Sequence, residues 1–546
     1  MADKPLIIQS DRSMLLDVHH PLFAECRNAI SPFSELIKSP EHVHTYAVTS
    51  LSLWNSLCSG STQASILDTL AKYSAYGLPD SLSSFITDVC SRFGVIKLTE
   101  EDGRQVLRIH DNRVAFMILG KKAVTDLLGE RIGTDYAYEI NPLDRGSLKV
   151  LLIKLGFPVE DLIPLNRSED ISIAFKPGFS LRPYQKNASD SLLGDGRPGL
   201  GYGVIVAPCG SGKTIIGLDI IIRLHTPTII LCPSIVSAHQ WRNELLDKTD
   251  IKEEDIGEFS GESKNPRSIT LCTYQALTYR PDKDVSYFPN MDLVKSRPWG
   301  LVIYDEVHML PAPVFKFTAS LQNLYRVGLT ATLIREDGLE ADVFSLVGPK
   351  RFDEPWVELQ NQGFIASATC TEIRIPLSSS QLASYYSSGS RAKFTIASCN
   401  VDKTAVVKEL LERHKGQQIL IIGQFLDQLK ELSETLGYSL LTGSTSNKER
   451  ERLYSAFRNG EEKVLVVSKV ANFAVDLPDA SVAIQVSGTF GSRQEEAQRL
   501  GRIMRPKEIP SSFYTIVTRY SPEEEFSANR QKFLAEQGYK YQLEIR

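Results

Sequence analysis

Tyr202 to Pro208 (YGVIVAP) is an unbroken apolar run of strand length, which predicts a strand buried on both faces. Four small residues follow, Cys209, Gly210, Ser211 and Gly212, and then Lys213 and Thr214 lead into TIIGLDIIIRL, an apolar stretch of helical length. A second run, Trp299 to Tyr304 (WGLVIY), predicts another buried strand, ending in Asp305, Glu306, Val307 and His308. The second half of the chain alternates. QQILIIGQF, a helix starting near Leu426, YSLLTGS, a helix at Asn447, EKVLVVSKV, ASVAIQVSG and a helix after Ser492 predict a second parallel α/β sheet. Three helix starts carry capping boxes: Ser446 with Glu449, Ser492 with Glu495, and Ser521 with Glu524, the last with Pro522 at the first helical position.

Upstream, SLSLWNSLCSG, QASILDTLAKY and SLSSFITDVCSRF have helical periodicity and predict a mostly helical module over residues 1–90. VIKL and VLRI flank Glu101, Asp102 and Gly103, a hairpin signal that opens an α/β module over 91–170. The expected plan is therefore α/β: a lobe over 171–350, a linker near Gly348 to Pro355, and a lobe over 351–546. A Ser-rich insertion, LSSSQLASYYSSGSRAKF, interrupts the second lobe at about 377–400. Its Tyr385, Tyr386, Arg391 and Lys393 are open to two readings, stacking on bases or, the favoured one, buried packing.

Length and composition agree with this plan. A chain of 546 residues exceeds what one hydrophobic core organises. Its 42% hydrophobic and 23% charged residues are ordinary for a soluble globular protein. The net charge of -5 does not mark a polyanion binder, so any nucleic-acid contact must come from local basic stripes. The eight cysteines are scattered without a CxxC pair, as expected for small core residues in a reducing compartment. MADKPLIIQSDRS has no cleavable apolar core, and no apolar run reaches the roughly 18 residues of a membrane span. A soluble, cytoplasmic chain with no membrane partner is expected.

The first strand, loop and helix have the layout of a P-loop. Backbone N–H groups of small residues turn around phosphates at a helix N-terminus, Lys213 reaches the β- and γ-phosphates, and the Thr214 hydroxyl ligates Mg²⁺. Ala207 stands where the first glycine of that motif is usual, and this loosens the match without removing a phosphate-binding group. A carboxylate at the C-terminal edge of the same sheet can face the loop, so Asp305 can hold Mg²⁺ while Glu306 polarises the attacking water. His308 reads equally as a structural histidine or as a relay between ATP and nucleic acid. A metabolic kinase gives no reason for the second sheet, whose helix after Ser492 bears Gln498, Arg499, Gly501, Arg502 and Arg505. The i, i+3 spacing puts the three arginines near one face, where guanidinium groups can stabilise charge developing in phosphoryl transfer.

LRPYQ, APCGSGKT, DEVH, GLTAT and QRLGRIMR together resemble the motifs of superfamily 2 helicases. The DEVH tetrad, the Arg335, Glu336, Asp337 triplet after GLTAT, LTGSTSNKERERL, VSKVANFAVDLP and VSGTFGSRQEEAQRLGR resemble more narrowly the XPB family, over nearly the whole chain. That resemblance implies two RecA-like lobes, ATP and Mg²⁺ as cofactors, and 3′ to 5′ unwinding or duplex translocation on DNA in repair or transcription-linked remodelling. It implies that Arg182 and Gln185 read adenine, that Gly210, Ser211, Gly212, Lys213 and Thr214 bind phosphates and Mg²⁺, and that Asp305 and Glu306 are metal ligand and base. Gln498, Arg502 and Arg505 complete the site, and Thr330 and Thr332 couple hydrolysis to the track. Thr273, Ser468 and Lys469 contact the nucleic-acid backbone, and Arg335, Glu336 and Asp337 act in duplex opening. The N-terminal module is implied to meet partner proteins of repair or nuclease type, 91–170 to resemble a damage-recognition domain, the insertion a thumb, and the motor to be a monomer of prokaryotic type. An RNA motor, a restriction-system motor and a partner-activated scaffold are the competing readings.

Overall fold

The computed structural model describes residues 3–546 other than 40–41, 167, 209, 262, 283–287, 296, 311, 332, 334–337, 355, 365, 469–479, 489–498, 501–509 and 537–540. The chain divides into two compact units. One comprises 1–37, 42–207 and 212–353, and the other 354–546 with the short stretches 38–41 and 208–211.

An eight-stranded sheet organises the first unit, in the order Lys264–Asn265, Ile256–Phe259, Ile269–Thr273, Thr228–Cys232, Leu301–Asp305, Tyr325–Thr330, Tyr202–Val206, Lys350–Asp353. Among the described residues every pairing is parallel except that of the first two strands. Strands Tyr202–Val206, Thr228–Cys232 and Ile269–Thr273 are buried at every position. The period of two explains why: Val204, Val206, Ile229, Leu231, Val302 and Tyr304 enter one core, while Ile205, Ile230, Ile303, Val327 and Leu329 enter the other. Each fully buried aliphatic side chain contributes about 1.5–3 kcal/mol. In this register Val206 lies beside Thr330 and Leu329 beside Asp305, so the chemistry-bearing strand ends share one edge. Strand Lys350–Asp353 carries the sheet three residues past the expected boundary at 350.

Residues 1–90 contain the three expected helices, Ser50–Cys58, Gln63–Tyr73 and Asp80–Ser91. They also contain a four-stranded sheet that the helical reading missed, ordered Leu6–Ile8, Ser13–Asp17, Val43–Ala47, Glu35–Lys38. The helix Ser50–Cys58 closes on the edge strand of the large sheet. Lys350 N donates to Asn55 Oδ1 (2.8 Å), Ser59 Oγ to Lys350 O (2.9 Å), and Arg351 Nη1 to Cys58 O (3.1 Å).

The expected hairpin joins Ile96–Glu101 to Arg104–Ile109, with Glu101 opposite Arg104. Its two central residues, Asp102 (φ +49°) and Gly103 (φ +74°), both take positive φ, as a type I′ turn requires. This module is joined to the large sheet by buried charge. Arg145 Nη2 and Nε donate to the two Asp161 oxygens (2.7 and 3.0 Å), and Lys149 Nζ donates to Asp161 Oδ2 (3.0 Å) and Gln322 Oε1 (2.9 Å). Tyr202, the first residue of the P-loop strand, donates its hydroxyl to Asp161 O at 2.9 Å.

In the second unit a seven-stranded sheet runs Leu440–Leu441, Val464–Val467, Ile419–Ile422, Val482–Gln485, Ser511–Thr518, Ala368–Ile375, Tyr541–Ile545, and its pairings among the described residues are all parallel. Helices Leu426–Leu436 and Asn447–Arg458 start where expected, and Glu449 N donates to Ser446 Oγ at 3.3 Å. At Ser521 the box is shifted by one residue: Glu523 N, not Glu524 N, donates to Ser521 Oγ, and the Glu524 carboxylate accepts from Tyr520 N. The box expected at Ser492 lies outside the described residues. The insertion forms two short helices, Leu382–Tyr386 and Ser390–Ser398. Tyr385 is buried beneath Lys393 Nζ, 5.5 Å from its ring centroid, whereas Tyr386 is 74% exposed, so packing accounts for one tyrosine and not the other.

Candidate functional site

The strand Tyr202–Val206 is followed by the helix Lys213–Leu224, and the loop between them turns through Gly210 (φ +77°) and Gly212 (φ +82°), a region that favours glycine. Ser211 is fully buried and spends its hydroxyl on Pro208 O (2.7 Å), so it braces the loop from within. A Cβ at Gly212 would stand 2.7 Å from Gln185 Nε2, the tip of a side chain that would have to move aside. Gln185 therefore lies against the loop. It sits in the helix Pro183–Leu193, where its Oε1 accepts from Arg182 N (3.0 Å), while Arg182 Nη1 donates to Tyr184 OH. Thr214 stands at the second position of the P-loop helix.

Asp305 ends its strand and Glu306 follows at φ +51°, ψ +57°, a left-handed backbone that a β-carbon disfavours. The turn brings Glu306 Oε1 to 4.0 Å from Lys213 Nζ. Glu306 Oε2 is buried with no hydrogen-bond partner among the described residues and lies 3.4 Å from His308 Nδ1. His308 is itself buried, and its Nδ1 shares a 2.7 Å hydrogen bond with Thr330 Oγ1 at the end of the neighbouring strand. Ala207 N donates to Thr330 O (3.0 Å), so the Glu306, His308, Thr330 chain reaches the residue that precedes the loop.

Asp305 is held on three sides. Its Oδ2 accepts from Ser237 Oγ (2.7 Å) and Trp241 Nε1 (3.2 Å), and its carbonyl accepts from Tyr274 OH (2.8 Å). Burial first, and then the Glu306 carboxylate, push the Asp305 carboxyl above its usual range despite those donors. A buried carboxyl raised in this way, next to an orphaned buried carboxylate oxygen and a glycine cradle with a lysine, fits a cation–phosphate group. Ser237, Trp241 and Tyr274 were not expected, because they come from elements remote in sequence. One local signal was visible: Gly217, inside an otherwise apolar helix, where a Cβ would stand 2.4 Å from the Trp241 ring.

The remaining expected residues fall into two groups. Thr273 is buried at the same sheet edge and caps the helix Tyr274–Leu277, its Oγ1 accepting from Ala276 N (3.1 Å). Ser468 follows the strand Val464–Val467 in the second unit and is buried, with its N donating to Leu441 O. Arg499 does not join an exposed arginine face, since it is buried with Nη1 on Gln485 Oε1 (2.6 Å) of the adjacent strand. Thr332, Arg335, Glu336, Asp337, Lys469, Gln498, Arg502 and Arg505 lie outside the described residues. No helix among the described residues is long and apolar enough to cross a membrane.

Three family models match: ERCC3/RAD25/XPB C-terminal helicase over residues 359–545, type III restriction enzyme, res subunit, over 178–335, and helicase conserved C-terminal domain over 6–133. The chain is 47% identical to the DNA 3′-5′ helicase XPB of Kineococcus radiotolerans, an alignment covering 100% of this chain and 97% of that one. It is also 47% identical to the DNA 3′-5′ helicase XPB of Mycobacterium tuberculosis, over 99% and 98% of the two chains. Identity falls to 29%, over 100% and 93%, with the general transcription and DNA repair factor IIH helicase/translocase subunit XPB of Enterocytozoon bieneusi.

Proposed function

Since the chain belongs to the XPB family of superfamily 2 helicases, we propose that its lobes work as an ATP-driven 3′ to 5′ DNA helicase or duplex translocase, with hydrolysis at the Lys213, Asp305, Glu306 site. The observation that carries the assignment is Glu306, turned by a left-handed backbone toward Lys213 with a buried oxygen that has no hydrogen-bond partner among the described residues. Bound Mg²⁺ and ATP would supply the phosphoryl group and neutralise its charge. Thr214 and Asp305 hold the metal, Lys213 and the loop N–H groups orient the phosphates, and Gln185 with Arg182 faces the base. Glu306 Oε2 accepts the proton of the attacking water. His308 and Thr330 brace Glu306, which ties proton acceptance to the strand that leads into Thr332, Arg335, Glu336 and Asp337. Gln498, Arg502 and Arg505 of the second lobe serve transition-state charge.

Thr273, Ser468 and Lys469 are assigned to the nucleic-acid track. Residues 1–90 are assigned to repair or nuclease partner proteins. Residues 91–170 are assigned to DNA, supported by Phe116, 72% exposed and edge-on to Tyr136, over which Arg131 lies at 5.4 Å. The working form is a cytoplasmic monomer at junctions of single-stranded and duplex DNA.

ATP turnover without nucleic acid, with single-stranded DNA, with duplex DNA and with RNA of matched length tests the reading, with Lys213→Ala as blank. DNA is expected to stimulate more than RNA, and equal or reversed stimulation overturns the DNA assignment. DNA affinity is also expected to fall with salt at a log–log slope of about 0.7–0.9 per phosphate neutralised. A flat response removes the phosphate-tracking groove.

A further inference from the structure

Ser237 and Trp241 are four residues apart in the helix Ile235–Lys248, on one face, and both donate to the same oxygen of Asp305. Trp241 is buried, and its ring fills the space left by Gly217 in the P-loop helix. Glycine inside a helix is less stable than alanine, and the close approach of the indole is a reason for its presence here. One side chain therefore touches both the helix that begins with Lys213 and the carboxylate that ends the strand Leu301–Asp305. With Oδ2 occupied by two donors, rotation about the Asp305 side-chain bonds is blocked and Oδ1 is the oxygen left for a cation. The Tyr274 hydroxyl fixes the Asp305 main chain in the same way.

We propose that Ser237 and Trp241 are positioning residues for metal binding: they hold Asp305 in the rotamer that presents Oδ1 to Mg²⁺, and Trp241 keeps that oxygen in register with the P-loop helix. The inference rests on Asp305 being the metal ligand. Outer-shell donors of this type carry about 10- to 100-fold in metal affinity. The loss should therefore appear in the metal step and not in nucleotide binding as such.

The test measures binding of fluorescently labelled ADP to the full chain by anisotropy, titrated with Mg²⁺ and, separately, in EDTA. Ser237→Ala and Trp241→Phe are expected to raise the Mg²⁺ concentration for half-maximal tightening about 10-fold while leaving affinity in EDTA within about 2-fold of wild type. Ser237→Thr, which restores the hydroxyl, is expected to recover most of the loss, and the Mg²⁺ dependence of ATP turnover should shift in parallel with kcat at saturating Mg²⁺ less affected. If Trp241→Phe unfolds, Ser237→Ala with its threonine rescue decides alone. Asp305→Asn separates the two layers. If it weakens the Mg²⁺ step while the Ser237 and Trp241 variants match wild type, the positioning role is overturned. If Asp305→Asn itself leaves that step unchanged, the metal-ligand reading falls and takes this inference with it.

Discussion

Glu306→Gln is expected to keep ATP and DNA affinity near wild type and to lower DNA-stimulated turnover by about 10²- to 10⁴-fold, the usual share of a general base. The substitution is isosteric, and the site shows what it spares. The hydrogen bonds that fix the loop and Asp305 do not depend on a negative charge at position 306, since Ser211 Oγ donates to Pro208 O and Ser237 Oγ and Trp241 Nε1 donate to Asp305 Oδ2; only the 4.0 Å contact of Lys213 Nζ with Glu306 Oε1 loses its charge. What the amide removes is acceptor capacity for a proton at Oε2, the oxygen left without a hydrogen bond. The left-handed turn at Glu306 is a backbone feature, so it persists in the variant and keeps the side chain aimed as before. A fall in kcat with KM nearly unchanged is the signature of an interaction made in the transition state. Steady-state kinetics beside nucleotide binding by anisotropy checks it. Turnover within about 3-fold of wild type would show that the proton goes elsewhere.

Much of this site was legible because its parts are contiguous in sequence. A strand, a glycine loop and a helix follow one another at 202–224, and the acidic pair follows its strand directly. Where a partner comes from far away, the sequence was silent or misleading. Arg499 shares helical spacing with Arg502 and Arg505, but Gln485 takes its guanidinium into the core. Strand Ala368–Ile375, which precedes the Ser-rich insertion, shows no clean period of two because ATCTEIRI is rich in polar residues. Its Glu372 is nonetheless buried, with Ser527 Oγ donating to Oε2 (2.6 Å) and Arg374 Nε to Oε1 (2.5 Å). The sheet within residues 1–90 escaped for a different reason, since Leu6–Ile8 spans only three residues and Glu35–Lys38 buries one of four, too little for a period of two to register. Domain edges blurred likewise, because Lys350–Asp353 reads as linker until the strand Tyr202–Val206 is beside it.

Asp161→Ala is expected to cost the first unit about 3–5 kcal/mol of stability, the range for removing one partner of a buried ion pair. Asp161 is the carboxylate that Arg145 and Lys149 bond directly. Arg326 Nη2 and Arg145 Nη1 are already without hydrogen-bond partners in the same fully buried region. Removing it leaves three buried cations. The pH dependence follows from the shifts. Burial by itself raises the Asp161 carboxyl, but Lys149 and Arg145 bring it down to about 2, so its stabilisation is complete above the ordinary carboxylate range and is lost as pH falls through about 2. Burial lowers Lys149 to about 8 against the pull of Asp161. The unfolded chain holds that proton more tightly, so Lys149 costs stability below about pH 8, and the cost fades as pH rises toward the usual lysine value of about 10.4. Without Asp161 the folded-state value of Lys149 drops further. The deficit of the variant should therefore be larger near about pH 6 than near about pH 9, where Lys149 is mostly neutral in both proteins. Urea unfolding followed by tryptophan fluorescence suits the measurement, because Trp54, Trp241 and Trp299 belong to this unit and Trp356 to the other. A loss below about 1 kcal/mol would mean that water or repacking replaces the carboxylate. A loss of the expected size that did not change with pH would place the cost on Arg145 alone and leave Lys149 out of the joint between the module and the P-loop strand.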